Sequence, residues 1–150
     1  MDLSIKNNED LLMNFYLFSA ADTSVFQDWC PYHYIVRDGS ASRGELSEHK
    51  IFDPIKVKQI IWEKCDSQNL VDAQKAFLGT CVHTYCGLLT NPKLQNCRLE
   101  VRKEIVAHKE WIVSLPGRTK LLARLAVYAP VLLRISYPVY EKYFQKRRYD

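Results

Sequence analysis

Apolar residues recur at helical spacing along most of the chain. Leu11, Leu12, Phe15 and Phe18 give one face of a helix over about Glu9 to Ala20. Asn7 or Asn8 can cap it by accepting from the first free backbone N–H groups. Ser24 to Trp29 alternates weakly and predicts a short strand, and Tyr32 to Val36, aromatic and branched, predicts a second. Asp38-Gly39-Ser40 is a turn sequence, and residues 39–50 are polar enough to read as a loop. From Ile51 the pattern is helical again. Asp53 reads as an N-cap with Pro54 at the first helical position, and Phe52 and Val57 as a staple across it. Val57, Ile60, Ile61 and Cys65 then line one face. A second long pattern runs from about Leu70 to Leu89, until Asn91-Pro92 breaks it. A third runs from about Pro92 to Val113, up to Pro116-Gly117. The last, Thr119 to Gln145, is unusually apolar, and Pro130 and Pro138 should kink or divide it. The prediction is a mainly α chain with a small β element.

Composition adds little to this. With 47% hydrophobic and 25% charged residues in 150, the chain can bury one ordinary globular core. No apolar run of about 18 residues predicts a spanning helix. The first residues do not read as a signal peptide, which points to a cytoplasmic location. The five cysteines, Cys30, Cys65, Cys81, Cys86 and Cys97, are odd in number and irregularly spaced. Reduced thiols fit that pattern better than a disulfide framework. Charge is more informative. Residues 118–150 hold eight Lys or Arg against two acids, a net of +6, while the whole chain is +4. Residues 1–117 therefore carry −2.

Candidate chemistry begins with Asn8-Glu9-Asp10-Leu11-Leu12-Met13-Asn14. Read locally, this is a capped helix with acids in its first turn, where the helix dipole stabilises them. About twenty residues later stands Pro31-Tyr32-His33-Tyr34-Ile35-Val36-Arg37-Asp38-Gly39-Ser40-Ala41-Ser42-Arg43. In this order and spacing, the two stretches resemble the second half of a family 2 glycosyltransferase. In that family an acidic pair opens a helix beside the sugar-transfer site, and a strand of the type Pro-x-Tyr-x-Tyr-Arg-x-Arg-x-Gly-Ser-x-Ser follows. The resemblance covers Asn8 to about Arg43 and, more loosely, the helical remainder. It implies the C-terminal part of an α/β A-type fold over residues 1–50, followed by a helical bundle over 51–150.

The resemblance also implies roles. Asp10, the second acid, would be the base that deprotonates the acceptor hydroxyl, and Glu9 would orient the acceptor or Asp10. Arg37 would meet the leaving diphosphate through bidentate contacts, and Ser40 could donate to the same oxygens. Read structurally, Arg37 is a surface arginine beside a turn. Ile35 stands where the family often has an arginine, so that strand lacks one expected contact. The family's donor half carries an Asp-x-Asp motif that holds a divalent cation, Mg or Mn, and the nucleotide sugar. No Asp-x-Asp occurs in this chain. The expectation is an acceptor-side fragment, inactive alone and without a cofactor of its own. Its whole enzyme would use a nucleotide-sugar donor and a glycan or lipid-linked acceptor.

Three further features carry weaker readings. Residues 118–146 read either as a core helix or as an amphipathic element on an anionic membrane face, with basic flanks and an aromatic rim. The second reading makes the chain a non-catalytic helical module that binds a membrane or protein partner, peripheral at the inner face. Cys81, His83 and Cys86 lack the second ligand pair that a tetrahedral zinc site needs. The basic Lys146-Arg147-Arg148 comes with no nucleic-acid fold signature, so no nucleic-acid partner is expected.

Overall fold

The computed structural model describes residues 4–25 and 46–144, the side chains of 143 and 144 excepted. These residues are mainly helical, and no strand occurs among them. Six α-helices run in order: α1 (Glu9–Ala20), α2 (Glu48–Lys64), α3 (Leu70–Leu88), α4 (Gln95–Ala107), α5 (Gly117–Tyr128) and α6 (Pro130–Phe144). Short 3₁₀ segments, Pro92–Leu94 and Lys109–Ser114, flank α4. Of the two predicted strands, only Ser24 and Val25 fall within the described residues, and neither has regular structure.

Helix α3 is the centre of the bundle. Its buried residues cover about half of the circumference, a wide apolar face that several neighbours must meet, while His83 and Gly87 on the other side are exposed. Phe77, Leu78, Cys81, Val82, Tyr85, Cys86 and Leu88 are all buried. The enclosure comes from α2, α4, α5 and the segment Lys109–Ser114. Ile51 and Ile55 of α2, Val101 and Ile105 of α4, Ala123 and Ala126 of α5, and Leu133 and Tyr137 of α6 complete one continuous core.

Helix α2 has a second apolar face. Val57 is fully buried there against Ile5 and Leu12, with Leu11, Phe15, Ile60 and Ile61 around them. This small cluster attaches α1 to the bundle, so Leu11, Leu12 and Phe15 face inward as their spacing predicts. Phe18 does not follow them and is 66% exposed.

Two predicted helix starts are corrected. Helix α2 begins at Glu48, within the stretch expected to be loop. Ser47 caps it, its Oγ accepting the Lys50 N–H at 3.4 Å. Asp53 and Pro54 therefore lie inside the helix, and Phe52 and Val57 belong to different clusters rather than to a staple. The Asn8 side chain makes no cap bond to α1. Asn8 instead adopts a left-handed backbone, φ 63°, which asparagine tolerates better than most residues.

The predicted third helix is also divided, at His108. That ring sits among Trp62, Phe77 and Trp111, with centroids 5.4, 5.3 and 4.4 Å away. Its Nδ1 lies 3.0 Å from the Glu104 carbonyl oxygen. Aromatic packing thus holds the chain in a turn where the local pattern alone would continue the helix. Pro130 separates α5 from α6, whereas Pro138 is accommodated inside α6. Arg102 caps the end of α5, donating from Nε to the Ala126 carbonyl at 2.8 Å and from Nη2 to Val127 at 3.1 Å.

Candidate functional site

The acidic pair lies at the start of α1, which sits at the edge of the bundle. Glu9 and Asp10 are both exposed. Asp10 Oδ1 accepts the Leu11 N–H at 2.8 Å, so this carboxylate satisfies one of the free donors of the helix start. Its remaining lone pairs face solvent and can accept from a hydroxyl.

A carboxylate inside α2 fixes this helix start in place. Asp53 is buried, and its Oδ2 accepts the backbone N–H groups of Lys6 at 2.7 Å and Asn7 at 3.1 Å. Its Oδ1 lies 3.3 Å from His49 Nδ1. Burial pushes the Asp53 carboxyl up, but the bonds from Lys6, His49 and Asn7 outweigh it and hold the group below its ordinary value. Lys56 Nζ donates to Ser4 Oγ at 2.8 Å, and Lys64 Nζ reaches Tyr16 OH at 3.1 Å. The segment before the acids and the helix after them are thus both tied to α2.

The outward side of α1 has no cover among the described residues. Glu9, Met13 and Leu17 are spaced by four, and Asp10 lies three before Met13, so acids and apolar residues share one face. Met13, Tyr16, Leu17 and Phe18 are all exposed, Leu17 by 60%. Uncovered apolar residues in a continuous patch mark a contact surface.

Beside that face runs an open groove of about 710 Å³ between α1, α2 and the start of α3. Asn14 and Phe18, one and two helical turns beyond Asp10, line its α1 wall. Lys58, Lys64, Asp66 and Asn69 line the opposite wall. Amides, carboxylates and ammonium groups beside a phenyl ring can hydrogen-bond hydroxyls and cover an apolar ring face. The sequence places Glu9 and Asp10 in the first turn of α1, as observed, but reads Asp53 as an N-cap rather than as the clamp on Lys6 and Asn7, and gives no sign of this groove.

Arg37 and Ser40 lie outside the described residues. Cys81 is buried on α3 while His83 is exposed, so the two do not converge. Among the described residues no three His, Cys, Asp or Glu side chains come together to hold a metal ion. Burial pushes the Cys81 and Cys86 thiols up to about 12, which makes them packing groups rather than ligands or nucleophiles at neutral pH. No helix among the described residues is long and apolar enough to cross a membrane. Comparison with protein-family models, curated proteins and solved structures found no match.

Proposed function

We propose that this chain is the acceptor-side part of an inverting, family 2 type glycosyltransferase. The observation that carries the proposal is the shared outward face of α1, where Glu9 and Asp10 adjoin Met13 and Leu17, which no other described residue covers. A helix that is apolar on both sides is built to be enclosed on both. A second, nucleotide-binding half resting on Met13 and Leu17 would leave the acids at the rim of the joint, where donor and acceptor meet. The order of the sequence stretches Asn8–Asn14 and Pro31–Arg43 supports the same reading.

In this reading Asp10 accepts the proton of the acceptor hydroxyl as that oxygen attacks the anomeric carbon, and the nucleotide diphosphate leaves. Glu9 orients the acceptor or Asp10. The groove along Asn14 and Phe18 holds the acceptor glycan. Arg37 and Ser40 take the diphosphate oxygens. By the resemblance, the divalent cation, Mg or Mn, and the nucleotide sugar would be held by the other half, whose Asp-x-Asp motif is not found in this sequence. No step within this chain depends on the cation. The chain alone is expected to turn over no nucleotide sugar.

The test is the nucleotide sequence upstream of the Met1 codon. Coding sequence for a nucleotide-binding half with Asp-x-Asp, in frame or interrupted, supports the proposal. An unrelated upstream gene or a clean promoter overturns it.

A further inference from the structure

Helix α6 faces two ways. Its inner side, Leu133 and Tyr137, is buried in the bundle core. The core reading of this segment therefore holds for that side. Its outer side repeats Val131, Ile135 and Val139 at intervals of four, exposed by 70, 67 and 56%, with exposed Leu132 beside them. A solvent-facing helix side usually carries polar residues. Here Arg134 borders the apolar stripe and Lys142 stands at its C-terminal end, both exposed. On α5, Leu121, Arg124 and Tyr128 are exposed as well, and Leu121 lines a groove of about 260 Å³ between the two helices. The only acid of α5 and α6, Glu141, is half-buried. In sequence, Lys146, Arg147 and Arg148 follow directly.

We propose that the outer face of α6 docks on an anionic lipid bilayer, lying in its surface with Val131, Leu132, Ile135 and Val139 inserted among the lipids. Charge decides between the possible occupants. A second copy packed on the same stripe would bring the Arg134 and Lys142 of both copies into one joint, with no exposed acid on α5 or α6 to meet them. An anionic membrane surface supplies both what the stripe lacks, negative charge and an apolar layer, and attracts each nearby cation. α6 is too short and too interrupted by charge to span, so it lies on the surface rather than crossing. This contact is independent of the glycosyltransferase reading, since it uses neither Asp10 nor the α1 face.

The experiment is co-sedimentation of the full chain with two kinds of vesicle. One is phosphatidylcholine alone; the other contains about a third phosphatidylglycerol to provide anionic charge. The chain is expected to bind the anionic vesicles and much less the neutral ones. Binding should decline from about 0.1 M to about 1 M salt, as the screening length drops from about 10 Å to about 3 Å. Ile135→Asp combined with Val139→Asp should lower binding by about tenfold or more, because it removes the inserted groups. Both positions are exposed, so circular dichroism should show helicity unchanged. Arg134→Glu with Lys142→Glu, which leaves the apolar residues intact, should also weaken binding to anionic vesicles. The proposal is overturned by equal binding to both vesicles, by binding to neither, or by variants that bind like the parent. Light-scattering detection of a dimer that Ile135→Asp dissolves would assign the stripe to a second copy and overturn it too.

Discussion

The Asp53 carboxylate accepts the Lys6 backbone N–H at 2.7 Å across 47 positions of sequence. With the Asn7 N–H on the same oxygen, this bond fixes the approach to α1 and therefore the direction in which Glu9 and Asp10 leave the bundle. A loop-to-helix junction is held here by a side chain from another helix, and the Asn8 side chain takes no part in capping.

Replacing Asp53 by Ala should leave two backbone donors without their acceptor. The cost of stranding partly buried donors is about 2 kcal/mol, which lowers Tm by roughly 4–8 °C in a chain of this size. Asp53→Asn retains an acceptor oxygen and should cost less. Hydrogen exchange at Lys6 and Asn7 should accelerate in the Ala variant while α3 amides stay protected. An unchanged Tm with unchanged exchange would remove Asp53 from this role.

The same carboxylate predicts a pH dependence. Its folded value lies below its unfolded one, so at pH values between the two the unfolded chain binds more protons. Its contribution is therefore complete above the ordinary carboxylate value of about 4. It is lost as the pH falls through the lower, folded value. Urea midpoints measured from neutral pH down to acid should fall more steeply for the parent than for Asp53→Asn below about pH 4. Parallel curves would contradict this.

Thiol labelling reports on the core. Burial, joined by the negative charge of Glu104, pushes Cys81 up to about 12. Burial likewise raises Cys86 to about 12, against the opposing charge of Arg118. At pH 8 the thiolate of each is scarcer than in a free cysteine by about three orders of magnitude. Cys65 is half-buried at the end of α2, with its thiol donating to the Trp62 carbonyl at 3.4 Å. Native alkylation followed by mass spectrometry should modify Cys65 well before Cys81 or Cys86, and denaturation should abolish the difference. Equal native rates would show that α3 is not enclosed.

Much of the helical pattern was legible because its signals are local. The α1 limits follow from an acidic first turn and an apolar run, and α3 ends at Leu88, three residues short of the Asn91-Pro92 break. Asp53-Pro54 misled because the pair has the chemistry of a helix start, while the true start, Ser47, is followed by few apolar residues. The turn at His108 was hidden because three aromatic neighbours, two of them at Trp62 and Phe77, hold it from elsewhere in the chain. The site divides in the same way. The position of Glu9 and Asp10 in the first turn of α1 is readable from their own neighbourhood. The clamp on Lys6 and the groove beside Phe18 exist only once α1 is laid on α2. The two faces of α6 could not be separated in sequence either, since burial of Leu133 and exposure of Ile135 depend on which side meets α3 and α5.

The central claim is that Asp10 deprotonates the acceptor hydroxyl. It is tested most directly by turnover of a panel of nucleotide sugars with manganese, using this chain joined to a nucleotide-binding half and comparing Asp10 with Asp10→Asn. General-base catalysis contributes about 10²–10⁴ in rate, so the variant should lose roughly a hundredfold or more in turnover. Donor affinity should stay nearly the same, since the proposed role of Asp10 is toward the acceptor. An Asp10→Asn enzyme that keeps a near-parental rate would contradict the assignment.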